Sequence, residues 1–363
     1  MENRREISVG GGSKRRVFVK IQLSHSFDDI ISLENLLLAW REFEIGKKNR
    51  KDVQEFSMKL MGNIFSLHND LLNHTYNHGG YQAFRISDPK PRDIHKATVR
   101  DRLLHHAIYR VLYPFFNRTF ISDSFSCRTA KGTHKAINRF REFSCKVSKN
   151  NTRTCWILKC DIRKFFANID HVILLDILEE YIPDKNILWL LKKVIESFHA
   201  KPGVGLPLGN LTSQLFVNVY MNRFDQFAKH ELKAKYYIRY ADDFVFLLDN
   251  KKLLEEQIKF IRKFLFEELK LELHPDKVFI KTLFSGVDFL GMVNFSDHRI
   301  LRTKTKRRML KKLRIKHEEL WNGSISEKTF NQSLQSYLGI LKHCRGYKVQ
   351  KEIGNLIGSA GGY

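Results

Sequence analysis

Two neighbouring carboxylates, Asp242 and Asp243, stand inside an otherwise apolar and aromatic stretch, YYIRYADDFVFLL (236–248). The Val, Ile, Phe, Tyr and Leu residues around them predict a single β-strand with the pair in its middle. Aspartate is depleted in strands and is seldom buried without a partner. Functional sites are where such departures from local preference are expected, so the pair is a candidate for chemistry.

A third carboxylate, Asp161, ends another apolar segment in RTCWILKCDIRKFFANI (153–169). Carboxylates from neighbouring strands can hold two Mg²⁺ ions ~4 Å apart, which clamp the attacking and leaving oxygens of a phosphoryl transfer. Mg²⁺ prefers carboxylate oxygens and shares its shell with substrate phosphates. The pattern therefore predicts a two-magnesium site. The alternatives are an exposed β-turn, or carboxylates paired with Arg239 and Arg163.

The charge balance indicates a polyanionic partner. The 363 residues include 63 Lys and Arg against 39 Asp and Glu, a net charge of +24. Nucleic acid and anionic membrane are the usual partners of such an excess. Because no apolar run approaches the ~18 residues of a membrane span, nucleic acid is favoured and no membrane partner is expected.

The cysteines and the N-terminus indicate a cytoplasmic protein. The five Cys are odd in number and form no CxxC pair, which favours reduced thiols over a disulfide framework or a zinc site. The N-terminal residues lack the apolar core of a signal peptide. The segment SVGGGSKRR (8–16) predicts a flexible basic arm. Beyond it, strands interleaved with helices predict an α+β sheet core with helical additions.

Five motifs resemble those of reverse transcriptases. YADD (240–243) is similar to their YxDD box, and DIRKFF (161–166) to the D-I-x-x-F-F segment of their first metal-binding motif. FSCRTAKGTHKA (125–136) resembles their fingers motif, LHPDKVFI (273–280) their L-x-x-x-K segment, and FLG (289–291) their primer-grip turn. The motifs occur in the family's order, and this order and spacing carry the resemblance.

One segment departs from the common pattern. Most reverse transcriptases have Q-G-x-x-x-S-P where this chain has LGNLTSQ (208–214), so Leu208 replaces Gln and Gln214 replaces Pro. The variant resembles the enzymes of bacterial and phage diversity-generating retroelements, relatives of group II intron and retron reverse transcriptases. SLQSYLGILKHCRGY (333–347) resembles their short thumb. Because Leu208 cannot form hydrogen bonds through its side chain, the resemblance implies error-prone copying, mainly opposite template adenines. Alternatively, Leu208 only packs in a loop.

The resemblance implies the right-hand polymerase fold, an α+β architecture with fingers, an antiparallel palm sheet and a helical thumb. The expected divisions are a flexible basic arm at 1–30, helical fingers interleaved with the palm at 31–155, the palm at 156–296 and a basic helical thumb at 297–363. No room is expected for an RNase H, maturase or HNH endonuclease domain.

The catalytic and metal-binding roles also follow from the resemblance. Asp161, Asp242 and Asp243 are the expected catalytic residues. Together with the backbone carbonyl of Ile162 they are the expected ligands of two Mg²⁺ ions, Asp243 acting more as a supporting carboxylate near the primer end.

Cationic side chains are expected to handle the phosphates of the dNTP substrate. Arg128, with Lys131 or Lys135, would clamp the triphosphate through charge-assisted hydrogen bonds. The alternative is contact with the nucleic-acid backbone. Lys277 would protonate the leaving pyrophosphate, or is simply a solvated charge.

Other residues are expected around the sugar and base of the nucleotide. Phe166, five residues after Asp161, matches the steric gate that excludes a ribose 2′-OH, although a plain core aromatic is the rival interpretation. Leu208, Gly209 and Gln214 would lie beside the nascent pair, with the glycine permitting close backbone approach.

A basic segment near the C-terminus predicts a nucleic-acid interface. RTKTKRRMLKKLRIK (302–316) interleaves apolar residues with dense, unbalanced positive charge, as expected of a thumb helix that follows the template–primer backbone. The alternative is a solvated charged face. The residues expected to bind are Lys304, Lys306, Arg307, Arg308, Lys311 and Lys312.

The leading hypothesis is an RNA-directed DNA polymerase of a diversity-generating retroelement. It would bind template RNA and the RNA/DNA hybrid, with a small basic accessory protein as partner, inside a bacterial cell and possibly encoded by a phage. The rival enzymes are a retron, group II intron-like or phage-defence reverse transcriptase, and a template-independent terminal transferase. The non-enzymatic rival is an RNA-binding scaffold on a polymerase fold.

Overall fold

The computed structural model describes residues 21–88 and 90–358. Its helices are α1 (Phe27–Ile31), α2 (Leu33–Glu44), α3 (Lys51–Met58), α4 (Leu60–Leu72), α5 (Val99–Thr119), α6 (Thr133–Val147), α7 (His171–Glu179), α8 (Lys185–Ile195), α9 (Leu211–His230), α10 (Lys251–Leu269), α11 (Thr303–Trp321), α12 (Glu327–Leu341) and α13 (Tyr347–Gly358). Its strands are β1 (Tyr81–Ile86), β2 (Arg92–Ala97), β3 (Trp156–Asp161), β4 (Tyr237–Tyr240), β5 (Asp243–Leu248), β6 (Phe279–Thr282), β7 (Val287–Phe289), β8 (Met292–Asn294) and β9 (Arg299–Leu301).

The strands form three antiparallel sheets. The central sheet has the order β4-β5-β3-β6, β1 and β2 form a separate hairpin, and β7, β8 and β9 form a small sheet that leads to α11. Helices precede, separate and follow these strands. The arrangement confirms the predicted α+β class with an antiparallel sheet.

Both faces of the central sheet are covered. Because side chains alternate between faces along a strand, Leu158 and Phe246 join the main core with the helices. Ile157 and Val245 point the other way and join a second core that includes Phe289 of β7. A third core joins α11, α12 and α13. The sheet is therefore held on both sides, which fixes the ends of β3 and β5.

The prediction of a single strand around Asp242 and Asp243 is wrong. β4 ends at Tyr240 and β5 begins at Asp243, and these two residues pair across a two-residue turn made by Ala241 and Asp242. Ala241 has φ +56°, in the left-handed region. Two-residue hairpin turns require positive φ, and Gly or Asn usually supplies it. Because an alanine occupies this position, the sequence gives no turn signal.

The predicted arm ends earlier than residue 30. Residues 1–20, including SVGGGSKRR, lie outside the described residues. The chain is packed from Leu23 onward. The backbone N–H of Leu23 donates to the carbonyl of Tyr181 at 2.8 Å. Phe27 and Ile30 of α1 are buried in the main core. The segment from Leu23 therefore belongs to the folded body.

No helix within residues 21–88 and 90–358 has the length and apolar composition needed to cross a membrane.

Candidate active site

The sheet brings the three predicted catalytic carboxylates to one edge. Asp161 is the last residue of β3 and lies directly opposite Asp243, the first residue of β5. Asp242 occupies the turn before β5, where its carbonyl accepts a hydrogen bond of 3.2 Å from the N–H of Ile162. Pairing of β3 with β5 is thus what converts two distant motifs into one cluster.

Burial makes this cluster electrostatically costly. Burial raises the pKa of Asp242, and the charge of Asp161 raises it further, while Lys277 and Arg92 act in the opposite direction. Burial also raises the pKa of Asp243, to about 7, although Lys159 opposes the shift. The Oδ1 atom of Asp243 is buried without a hydrogen-bond partner. Desolvation of this kind disfavours the charged form unless cations compensate it.

The alternative in which Arg239 and Arg163 neutralise the aspartates is wrong. The guanidinium of Arg239 pairs with Asp225 of α9 at 2.6 Å. Arg163 lies 3.5 Å from Glu272. Arg239 instead supports the turn from behind, since its Nη1 donates to the carbonyl of Ala241 at 3.3 Å.

The oxygen donors at this end of the sheet are of the kind that Mg²⁺ prefers. Among the described residues, no group of three or more His, Cys, Asp and Glu side chains could hold a metal ion. The site offers the carboxylates of Asp161 and Asp242 and the nearby backbone of Ile162. Mg²⁺ is commonly bound by one or two carboxylates plus substrate phosphates and water. Burial is the main cause of the raised pKa of Asp242, and a bound cation would compensate for such desolvation. The residues present therefore fit Mg²⁺, and Asp243 stays a predicted ligand.

Lys277 contacts one of the predicted catalytic carboxylates. Its Nζ donates to Oδ1 of Asp161 at 2.9 Å. The same segment is fixed to β3 because the N–H of His274 donates to the carbonyl of Asp161 at 2.7 Å. A cation is thereby held directly against one predicted metal ligand.

Two of the predicted nucleotide-contacting segments, those of Phe166 and Leu208, are hydrogen-bonded to each other or to β2. Phe166 lies half-buried in a 3₁₀ turn (Phe165–Asn168), and its carbonyl accepts from the N–H of Leu206 at 2.8 Å. The carbonyl of Leu208 accepts from the N–H of His95 in β2 at 3.0 Å. The segment 206–208 is therefore hydrogen-bonded to the 3₁₀ turn that follows β3 on one side and to the β1–β2 hairpin on the other.

Gly209 is required by its surroundings. Its φ is +109°, and an added Cβ would lie 2.9 Å from Cγ2 of Ile94. Leu208 is half-buried just before it, and Gln214 lies half-buried in the first turn of α9. A side chain at position 209 would therefore push this segment away from β2.

Arg128 is hydrogen-bonded to the end of α5 and to its own loop, and Lys131 to its own loop. The guanidinium of Arg128 donates to the side chain and carbonyl of Asn117 and to the carbonyl of Ser124. The Nζ of Lys131 donates to a backbone carbonyl of the same loop at 2.7 Å. Lys135, in contrast, is exposed. Contact of Arg128 and Lys131 with a triphosphate stays a prediction, and the structure gives both side chains a supporting role in the loop.

The basic residues of α11 divide into two groups. Lys304, Arg307 and Lys311 are exposed. They recur at intervals of three and four residues, so they share one face of the helix. This face is open to a phosphate backbone.

The other three predicted binding residues of α11 make ion pairs. Lys306 lies 2.6 Å from Glu352 of α13. Arg308 and Lys312 pair with Asp88, which lies between β1 and β2. Part of the predicted interface is therefore turned toward the β1–β2 hairpin.

Lys159 and Asp225 are the polar residues near the site that sequence reasoning missed. Lys159 lies in β3, two residues before Asp161, and its Nζ is 3.3 Å from Oδ2 of Asp243. The signal was a lysine inside an otherwise apolar strand, spaced by two from a candidate catalytic residue. Asp225 carried no such signal, because polar residues are common in helices.

The family model for "Reverse transcriptase (RNA-dependent DNA polymerase)" matches residues 87–294. This span includes the strands that carry Asp161, Asp242 and Asp243. It ends at the last residue of β8.

Individual curated relatives share about a quarter of their aligned residues with this chain. Protein YkfC of Escherichia coli (strain K12) is 26% identical over 260 residues, covering 61% of this chain and 66% of its own length. The group II intron-encoded protein LtrA of Lactococcus lactis subsp. cremoris is 23% identical over 337 residues, covering 73% of this chain and 51% of its own length. Telomerase from Candida albicans, solved with a fragment of telomeric RNA, gives a TM-score of 0.49 at 14% identity. That alignment covers 78% of this chain and 55% of the telomerase chain.

Proposed function

Because the chain belongs to the reverse transcriptase family, whose model matches residues 87–294 of 363, we propose that it is an RNA-directed DNA polymerase that copies template RNA into cDNA. One observation carries the proposal: the pairing of β3 with β5 puts Asp161 opposite Asp243, and the turn that holds Asp242 is hydrogen-bonded to Ile162, the residue after Asp161. Carboxylates so placed serve the transfer of a nucleotidyl group.

The residues divide the work of this reaction. Asp161 and Asp242 would hold Mg²⁺ with help from the Ile162 backbone. When bound, the metal supplies positive charge that activates the primer 3′-hydroxyl and stabilises the leaving pyrophosphate. Lys277, whose Nζ donates to Asp161, would give a proton to that pyrophosphate. Arg128 and Lys131 would face the triphosphate from their loop.

Substrate choice would depend on the residues that follow β3. The ring of Phe166 is half-buried and would lie where a ribose 2′-OH would collide with it, which selects dNTPs. Leu208, Gly209 and Gln214 would lie along the nascent base pair. The template–primer duplex would lie against Lys304, Arg307 and Lys311, with Lys306, Arg308 and Lys312 joining once their carboxylate partners release them.

Within the family, we propose that the chain is the error-prone enzyme of a diversity-generating retroelement in a bacterial cell. The support is Leu208 and Gln214 in LGNLTSQ. Leu208 fills volume without hydrogen-bonding the nascent pair, so mispairs opposite template adenine would be rejected less strongly. A small basic accessory protein would be its partner.

A group II intron-like or retron reverse transcriptase is the second candidate. The alignment with LtrA, which covers 73% of this chain, favours it. The two candidates differ in the expected fidelity of copying. The retroelement enzyme should make errors opposite template adenine, whereas the intron-like or retron enzyme should copy the template faithfully.

The test is primer extension on an RNA template with Mg²⁺ and dNTPs, followed by sequencing of the cDNA. Wild type is compared with Asp242→Asn, which keeps the shape and removes the charge. Asp276→Asn is the matched control, since Asp276 is exposed in the segment before Lys277. We expect extension to be lost only in Asp242→Asn, with errors concentrated opposite adenine.

Other outcomes separate the alternatives. If the product is faithful and its synthesis depends on Asp242, the polymerase function is supported and the intron-like or retron enzyme is favoured over the retroelement enzyme. Product without template would indicate a terminal transferase. Absence of wild-type product, even with cognate RNA and an accessory protein, would favour the RNA-binding scaffold.

A further inference from the structure

Lys159 is a buried lysine inside the central sheet. It lies in β3, is 9% exposed, and shares a face of the sheet with Asp161, two residues later. Lysine is almost never buried without a partner, because desolvating an ammonium group is costly. A strand that only had to pack would carry an apolar residue here, so the contacts of Lys159 require an explanation.

The ammonium group of Lys159 contacts two separate elements. Its Nζ lies 3.3 Å from Oδ2 of Asp243, the first residue of β5. The same Nζ donates a hydrogen bond of 3.0 Å to the backbone carbonyl of Asp288 in β7. One side chain thus joins the catalytic edge of the sheet to the β7–β8 hairpin.

The connection continues to the residue that precedes α11. The side chain of Asp288 accepts a hydrogen bond from Arg302, the residue immediately before α11. The N–H of Arg302 also donates to the carbonyl of Gly291, in the turn between β7 and β8, at 3.1 Å. The hairpin is therefore anchored to Lys159 on one side and to the basic helix on the other.

We propose that Lys159 is a positioning residue of the polymerase reaction, which fixes the Asp243 carboxylate and the β7–β8 hairpin in one arrangement. The inference rests on the proposed polymerase function. It deepens that function by assigning a role to a residue that does not touch substrate.

The expected consequence of losing the ammonium group is twofold. Asp243 lies directly opposite Asp161, so a carboxyl group no longer held by Lys159 could shift and change the spacing of the catalytic edge. The hairpin would also lose a buried hydrogen bond to the sheet, which would loosen its position relative to Asp161. Both effects alter the alignment of reacting groups and not the affinity for free nucleotide.

The experiment compares Lys159→Met, which keeps the length and removes the charge, with Lys159→Arg, which keeps the charge. Lys281→Met is the matched control, because Lys281 lies in β6 of the same sheet and is exposed. Single-turnover and steady-state extension are measured on an RNA template with a DNA primer. We expect Lys159→Met to lower kcat roughly tenfold or more with KM for the dNTP nearly unchanged, Lys159→Arg to recover part of the rate, and Lys281→Met to match wild type.

A double-mutant cycle with Asp243→Asn tests whether Lys159 acts through Asp243. We expect Lys159→Met to have a smaller further effect when Asp243 is already Asn, because only the contact with the hairpin then remains to be lost. If Lys159→Met does not fold, the double variant leaves no unpaired buried charge and is compared with Asp243→Asn alone. A further loss well below tenfold supports the proposal, and a further loss of tenfold or more in the double variant overturns it.

Hydrogen exchange of the metal-free protein gives a readout independent of activity. Lys159→Met should speed exchange of the backbone amides of the β7–β8 hairpin, whereas Lys281→Met should not. If Lys159→Met changes neither the exchange of the hairpin amides nor kcat, the proposal is overturned. The polymerase function would still stand, because wild type is active. Wild type that extends no primer would remove the proposed function and this inference together.

Discussion

The guanidinium of Arg239 lies 2.6 Å from the carboxylate of Asp225, and both side chains are fully buried. Asp225 lies in α9, and Arg239 is the penultimate residue of β4. The hydroxyl of Tyr237 donates to the same carboxylate at 2.8 Å. Since Arg239 also donates to the carbonyl of Ala241, the pair connects α9 to the turn that carries Asp242.

We expect Asp225→Ala to lower the free energy of unfolding by about 3–5 kcal/mol, because it leaves a buried guanidinium without its counter-charge. Chemical denaturation checks this. Glu267→Ala is the control, since Glu267 makes an exposed pair with Lys263 and should change the free energy by less than about 1 kcal/mol. A loss for Asp225→Ala as small as that of the control would contradict the anchoring role.

The buried pair also shows what the sequence could not reveal. Asp161 and the YADD segment could be found because Asp161 ends one apolar run and the Asp242–Asp243 pair interrupts another, and carboxylates are unexpected in both places. The partner of Arg239 could not, because the nearest carboxylates along the chain are Asp242 and Asp243, whereas the true partner is on a helix. Which charges meet is decided by tertiary packing, and one sequence does not contain that information.

The turn at Ala241 and the buried Lys159 show two further limits of prediction from the sequence. Ala241 adopts a conformation that alanine rarely favours, so local preferences predict an unbroken strand there. Lys159 was missed although it lies in an otherwise apolar strand, and its role depends on the carbonyl of Asp288, far along the chain. The order of motifs was sufficient for the fold class, whereas contacts between motifs required coordinates.

The raised pKa of Asp243 predicts a pH dependence of stability. Its pKa is about 7 in the fold against an ordinary value of 3.8. Between these values the native state keeps a proton that the unfolded state has released, so the free energy of unfolding of the metal-free protein should fall as pH rises from about 4 to about 7. Asp243→Asn should reduce this fall.

Denaturation of metal-free protein at several pH values checks the slope. Asp276→Asn is the control, because that exposed carboxylate should leave the slope as in wild type. An identical slope in wild type and Asp243→Asn would show that Asp243 ionises normally.

Leu208→Gln should increase fidelity if the retroelement assignment is right. An amide at this position regains a hydrogen-bonding group next to the nascent pair, and one net hydrogen bond corresponds to roughly a 2- to 10-fold change in discrimination. Sequencing of cDNA should therefore show fewer errors opposite adenine. Leu253→Gln, at an exposed position of α10, should leave the error rate unchanged. An error rate that Leu208→Gln does not lower would leave Leu208 as a packing residue.

The contact of Asp88 with Arg308 and Lys312 predicts a competition with nucleic acid. Both cations of α11 face the carboxylate between β1 and β2, so phosphates must displace Asp88 to reach them. Asp88→Asn should tighten binding of a template–primer duplex at low salt, and the slope of log affinity against log salt should steepen by up to about two. The gain should disappear at high salt, where such interactions are screened.

Asp297→Asn is the matched control for this competition. Asp297 is exposed and pairs with the adjacent His298, so the variant changes net charge equally without freeing Arg308 or Lys312. Fluorescence anisotropy over a salt series measures both variants. An equal gain in the two would mean that only net charge matters. A gain restricted to Asp88→Asn would show that the β1–β2 hairpin holds part of the basic helix until template–primer arrives.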